Sequence, residues 1–185
     1  MIGFELVNDR AKRGIRSAQF REERKARNQT LPGNVYTISQ GTRRNLVVQV
    51  DYGLGENIRL RSRVQYNQFE FSERVARGFA MLQDVRFSFG RFTVTGRHAL
   101  FDTDHYDNRH YVYEHDAWLA YSLPVYTGTG VRNYALIEYK AHKQLTFWVR
   151  YARTRHLKSP DMVSGNDAIA GNTKNDVKFQ ARLRF

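Results

Sequence analysis

Apolar residues fall at every second position along most of this chain, and a period of two constrains the fold more than any other feature. Ile58, Leu60, Val64 and Tyr66 interleave with Arg59, Arg61, Arg63 and Gln65. Leu46, Val48, Val50 and Tyr52 repeat the pattern, as do Phe79, Met81, Val85, Phe87 and Phe89. Further on come Tyr111, Tyr113, Ala117, Leu119 and Tyr121, then Ala135, Ile137 and Tyr139, then Leu145, Phe147, Val149 and Tyr151. The last run is Val177, Phe179, Ala181, Leu183 and Phe185. Helical spacing fits none of these as well as strand spacing does. The chain has three prolines, none inside these runs, so nothing blocks extended pairing. The pattern predicts eight or nine strands of about 9–14 residues, longer than the globular mean. Arg13 to Arg27 is read as a further strand leading into a polar loop.

The connectors are turn-like. "YGLGEN" (52–57), "FGR" (89–91) and "AHKQ" (141–144) are short, whereas "DTDHYDNR" (102–109), "LPVYTGTG" (123–130) and the stretch 154–175 are long. Alternating short and long connectors predict an all-β, antiparallel up-and-down meander. Long strands with one apolar face, joined in this way, are the pattern of an outer-membrane-type β-barrel, closed or partial. The expected organisation is an N-terminal strand region with a polar loop over 1–42 and a barrel domain over 43–185, with a long extracellular loop at 154–175. In such a barrel the charged faces point inward, and the lumen charges are expected at Arg59, Arg61, Arg63, Glu114, Asp116, Arg182 and Arg184, with Asp84, Arg86, Arg97, Glu138 and Arg150 beside them. A soluble barrel would turn the same strands inside out. Aromatic residues make up 14% of the chain and gather near strand ends, which favours the membrane reading through interfacial girdles.

The charge balance narrows the partners. A net charge of +12 suits polyanions, including nucleic acid, phospholipid headgroups and lipopolysaccharide phosphates. Cysteine is absent, which excludes a disulfide scaffold and thiolate metal sites. No apolar run approaches the roughly 18 residues of a spanning helix. The first residues also lack the apolar stretch of a signal peptide, so an exported chain would carry its signal upstream of Met1.

The closing strand resembles the C-terminal assembly signal of Gram-negative outer-membrane barrels, where alternating apolar residues end on an aromatic. The matching positions are Val177, Phe179, Leu183 and Phe185. That resemblance implies recognition by the barrel-assembly machinery and closure of the last strand against the first. A second resemblance spans Arg43 to Phe185. "RRNLVVQVDYGLGENIRLRSRVQY", "ALFDTDHYDNRHYVYEHDAWLAYSLPVY", "RNYALIEYKAHKQLTFWVRYARTR" and "VKFQARLRF" are similar to the barrel portion of outer-membrane proteins that carry a helix-hairpin-helix domain upstream. The helical domain itself has no counterpart here, so the resemblance implies no DNA-binding role for this segment.

Candidate chemistry is sparse. Asp102, Asp104 and Asp107 offer oxygen ligands, but their spacing departs from a calcium loop and lacks its turn glycine. His105, His110 and His115 do not complete a zinc set. Glu114–His115–Asp116 offers acid–base ingredients, yet strand geometry puts the two carboxylates on one side and the imidazole on the other. A lumenal ion-pair role suits Glu114 and Asp116 better, and no nucleophile motif is present. The stripe Arg59–Arg61–Arg63 with Tyr66, Phe69 and Phe71 is weighed as a nucleic-acid surface and set aside, its arginines and aromatics being read as lying on alternate faces. The expected protein is therefore a non-catalytic, cofactor-free barrel of the outer membrane with a structural or transport role, in contact with lipid and lipopolysaccharide. The competing expectation is a soluble basic β-barrel that binds nucleic acid or anionic lipid.

Overall fold

Strands form wherever the alternation runs, with one exception that shapes the whole molecule. The computed structural model describes residues 2–4, 13–31, 35–71, 74–158 and 171–185, with side chains at 41–70, 74–158 and 171–185. The strands are β1 (Ile2–Phe4), β2 (Arg13–Leu31), β3 (Val35–Leu54), β4 (Ile58–Phe71), β5 (Arg74–Phe89) and β6 (Phe92–Thr103). They continue with β7 (His110–Tyr111), β8 (Val125–Tyr126), β9 (Thr129–Lys140), β10 (Leu145–His156) and β11 (Thr173–Leu183). Nine of them form one sheet in the order β1-β2-β3-β4-β5-β6-β9-β10-β11. Each neighbouring pair is antiparallel. The predicted all-β meander is thus present. Among the described residues the sheet does not close on itself: β1 and β11 are its edges, as in a partial barrel. The expected boundary at 42/43 falls inside β3. Residues 159–170 of the long 154–175 stretch lie outside the described residues.

The exception is Tyr111 to Tyr121. Its alternation predicts a sheet strand, but β6 pairs directly with β9 and the stretch between them leaves the sheet altogether. Only the small β7–β8 pair and a bridge between Glu114 and Ser122 remain there. The alternation has another cause. The segment lies across one face of the sheet, so Val112 and Glu114 turn toward it and are buried while Tyr111 and Tyr113 turn away. One-sided burial gives a period of two whether or not the backbone pairs with a sheet.

Removing that stretch from the strand count also fixes the topology. The turns after β3, β5 and β9 now fall at one end of the sheet, and the insert between β6 and β9 emerges from the other. Gly55 and Gly90 adopt φ of 62° and 54° in two of the short turns, a left-handed conformation that favours glycine.

The two faces of the sheet differ sharply. The covered face, under the insert, carries Ala80, Leu82, Ala99 and Phe101, which pack with Val112 and Tyr126 of the insert. A second cluster joins Tyr134, Leu136, Trp148 and Ala152 to Ala117. Small residues on the strands leave room for the insert, and the Phe101 and Tyr126 rings stack at 5.0 Å. The open face is the apolar one: Phe79, Met81, Val85, Phe87, Leu100, Ile137, Val149 and Phe179 are all exposed. Toward the short turns the register aligns Phe89, Phe92, Tyr139 and Phe147 in one row across β5, β6, β9 and β10. Phe92 and Tyr139 stack at 4.5 Å. Nearer the other end a polar row crosses the same face through Ser62, Gln83, His98 and Asn133. Its members satisfy one another in pairs, Ser62 Oγ donating to Gln83 Oε1 and His98 Nδ1 lying 2.6 Å from Asn133 Oδ1.

At Gly78 the insert leaves no room for a side chain on β5. A Cβ there would lie 2.5 Å from Asn67 Oδ1 and 2.7 Å from the Asn108 carbonyl oxygen. We therefore expect Gly78→Ala to destabilise the fold by about 1–3 kcal/mol in urea unfolding, as overpacking does. Gly53→Ala is the control, because its Cβ would meet nothing closer than 4.0 Å.

Candidate functional site

Beside its apolar clusters the covered face carries charges, some paired within the sheet and some neutralised by the insert. Arg97 on β6 and Asp84 on β5 are directly opposed in the register. They form a two-pronged pair, Arg97 Nε to Asp84 Oδ1 at 2.5 Å and Nη2 to Oδ2 at 2.7 Å. The remaining guanidinium nitrogen, Nη1, donates to the Tyr113 carbonyl at 2.7 Å, so the same arginine holds the insert. Planar forks of this kind are the geometry in which arginine binds carboxylate most strongly.

Glu114 lies at the centre. Its side chain is wholly buried and accepts from Arg132 through Nε at 2.7 Å and Nη2 at 2.9 Å. Arg150 Nη2 donates to Oε2 as well, and Tyr126 Oη donates to Oε1 at 3.1 Å. Arg132 and Arg150 come from the adjacent strands β9 and β10, so one carboxylate of the insert ties two strands together. Arg132 Nη1 also donates to Thr154 Oγ1 at 2.6 Å. The Tyr134 ring lies 5.6 Å from the Arg97 guanidinium and 5.3 Å from that of Arg150, adding a cation–π contact to each. Asp116 extends the network, accepting from Lys178 on β11 at 2.7 Å and lying 3.8 Å from Arg150 Nε. With both oxygens of Glu114 held by guanidinium groups, it is a clamp and not a free base. Burial and the Glu114 charge push the Tyr126 hydroxyl above its ordinary pKa, which keeps it a donor.

Toward β3 and β4 the insert is held by Arg43, whose Nη2 donates to the Arg109 carbonyl at 3.4 Å, and by a pair of side-chain amides. Asn67 Nδ2 donates to the Asn108 carbonyl at 2.8 Å, and Asn108 Nδ2 returns the bond to Asn67 Oδ1 at 2.9 Å. His110 is buried beside them. Burial first, and then the nearby charges of Arg43 and Arg63, depress its pKa to about 4. With the Gln65 amide oriented to satisfy both of its ends, its nitrogen donates to His110 Nδ1 at 3.2 Å, which requires the neutral ring.

The residues expected from the sequence to line an interior take different places. Arg59, Arg61 and Arg63 all occupy the covered face of β4, in register with covered-face residues of β5. Arg61 pairs with Asp51 at 2.6 Å. Phe69 shares that covered face and is buried there, whereas Tyr66 lies on the open face, which corrects the expectation that arginines and aromatics alternate in this stretch. Glu114 and Asp116 do share a side, but they reach the sheet from the insert and not from a strand of it. Arg182 lies on the covered face of β11, between Trp118 at 4.1 Å and Trp148 at 5.3 Å. Arg184 follows β11 and its backbone N–H donates to the Gln144 carbonyl. Val177, Phe179, Leu183 and Phe185 project from the open face at the β11 edge and are all exposed. Asp102, Asp104 and Asp107 diverge. Asp102 accepts from Thr129, Asp104 from the Arg77 amide, and Asp107 lies 3.0 Å from His105. Among the described residues no three His, Asp or Glu side chains converge on a metal position.

Two features escaped the sequence reading: the partners of Glu114 and the stacking of Arg182 between the two indoles. Both join residues far apart in the chain, and no local spacing signals them. Neither a family model, nor a curated protein, nor a solved structure matches this chain.

Glu114→Ala leaves two arginines without their carboxylate and should cost about 3–5 kcal/mol in urea unfolding, as breaking a buried pair does. Replacing Glu114, Arg132 and Arg150 together by Leu, Met and Leu should cost clearly less. His110, with its folded pKa below the unfolded value, favours the fold most above about pH 6.5. That contribution falls as the pH drops and is gone once the pH passes below about 4. Thermal midpoints of the wild type should therefore fall more steeply between those pH values than those of His110→Gln.

Proposed function

We propose that this chain is a membrane-embedded, outer-membrane-type β-barrel protein, or the larger part of one, with a structural or transport role and no catalytic activity. The observation that carries the reading is the inversion of its faces. Large apolar side chains, among them Val85, Phe87, Ile137, Val149 and Phe179, are exposed on the open face, while ion pairs fill the covered one. In water that arrangement would leave the hydrophobic effect unused over most of the sheet. In a bilayer it is the stable one, since lipid solvates the apolar face and the paired strands satisfy their own backbone groups.

Two further features support it. The row Phe89–Phe92–Tyr139–Phe147 at the short-turn end matches an aromatic girdle at a membrane–water interface. The exposed alternating side chains of Val177, Phe179 and Leu183, followed by Phe185, belong to a strand at the sheet's edge among the described residues, where assembly machinery or a closing strand would engage. The charged inner face is occupied by the insert, so the role we favour is that of a filled barrel and not of a wide aqueous pore.

The test uses the absence of native cysteine. Single cysteines at Leu60, on the open face, and Arg61, on the covered face, carry a fluorophore into vesicles containing brominated lipid. Strong quenching at 60 and weak quenching at 61 is expected. Equal quenching at both, or none at either, would sink the membrane reading and restore the soluble, anion-binding alternative.

A further inference from the structure

At the short-turn end the covered face opens into a cavity of about 910 Å³, whose wall includes Trp118, Trp148, Arg91, Lys143, Arg182 and Arg184. That volume suits a small molecule. The wall is unevenly charged. Its two carboxylates are already engaged, Asp116 by Lys178 and Arg150, and Glu138 by Lys140 and the Trp148 indole N–H. Arg91, Lys143, Arg182 and Arg184 have no carboxylate partner among the described residues. Four cations facing one cavity without counter-charge repel one another, and an anion between them removes that repulsion.

Arg182 is the best positioned of the four. Indole rings approach its guanidinium from Trp118 at 4.1 Å and Trp148 at 5.3 Å. Stacking holds the faces of the group and leaves its in-plane N–H donors for an acceptor. Nε and Nη1 are buried without an acceptor on the protein, a cost that an anion reaching them would relieve. Trp118 is itself held in place. Its carbonyl accepts from Gln180 at 2.9 Å, and its turn is closed by Ala120 N–H to the Ala117 carbonyl at 3.0 Å. Leu119, at the tip of that turn, has φ of 58°, a left-handed conformation that a branched side chain adopts only under constraint. The turn therefore aims an indole at Arg182 at a conformational cost, which is the behaviour of a site built in advance of its ligand.

We infer that this cavity binds an anion carrying two or more phosphate groups, with Arg182 as the central contact and Arg184, Arg91 and Lys143 supplying the remaining charge. Guanidinium forks match phosphate oxygens in pairs, and several cations around one cavity favour a multivalent ligand over a monovalent one. The bisphosphate can belong to a soluble molecule or to a lipid headgroup. The inference does not depend on the membrane reading.

The chain provides its own reporter, because its two tryptophans are the two that stack on Arg182. Inorganic pyrophosphate titrated into the full chain should change the intrinsic fluorescence saturably, while chloride at matched ionic strength should not. A second arm uses vesicles with and without cardiolipin, a lipid carrying two phosphates. Saturation by pyrophosphate assigns the site to soluble ligands as well, and saturation by cardiolipin alone assigns it to a headgroup. The double variant R184Q/K143Q changes exposed side chains only and should weaken binding at least tenfold, and R182K should weaken it while keeping the charge. A saturable signal in neither arm, or equal affinity in R184Q/K143Q and wild type, would overturn the inference.

Discussion

The carboxylate of Glu114 does more than any other group to determine how this molecule holds together. It is buried, it accepts from Arg132 and Arg150 on adjacent strands, and it belongs to a segment outside the sheet. Three charges in one dry place are stable only as a set, because removing any member strands the others. Position follows from that requirement. The insert cannot slide along the covered face without breaking the fork from Arg132 to Glu114 and the bond from Arg97 to the Tyr113 carbonyl, and β9 and β10 cannot shift register without pulling Arg132 or Arg150 away from the Glu114 they share. The apolar clusters of the covered face add burial, but they would tolerate other arrangements. The ion pairs select one.

The open face obeys a different constraint. Its polar row through Ser62, Gln83, His98 and Asn133 interrupts an otherwise apolar surface. The pairing within the row matters, since a polar group without a partner is costly in any apolar surrounding. Hydrogen bonds from serine to glutamine and between histidine and asparagine remove much of that cost. The face can therefore carry these residues and still present a largely apolar exterior.

Most of the sheet was legible from the period of two, because a half-buried strand repeats its environment every second residue. The same logic misled over Tyr111 to Tyr121, where the alternation is genuine but reports one-sided contact with the sheet and not membership of it. The side shared by Glu114 and Asp116 could be read from their spacing, and so could the charged face of Arg59, Arg61 and Arg63. Phe69 shares the parity of Arg59, Arg61 and Arg63 and so lies on their face, as the register of β4 against β5 shows. What no spacing could supply were the pairs made across long loops, Glu114 with Arg150 and Trp118 with Arg182. These depend on where the insert lands, for which Ala80, Ala99 and Gly78 leave room and which the ion pairs then fix.

The insert begins and ends at almost the same point. The Thr103 N–H donates to the Gly128 carbonyl at 3.0 Å, and Asp102 and Thr129 are direct partners in the β6–β9 ladder. A detour that starts and finishes at one rung leaves the order of the strands untouched. The segment between those rungs behaves as a cassette: its length can change without renumbering a single pairing in the sheet, provided that a carboxylate still meets Arg132 and Arg150. Variation over evolutionary time should then concentrate in what fills the covered face, while the strands that frame it change slowly. One sheet could in this way serve several contents.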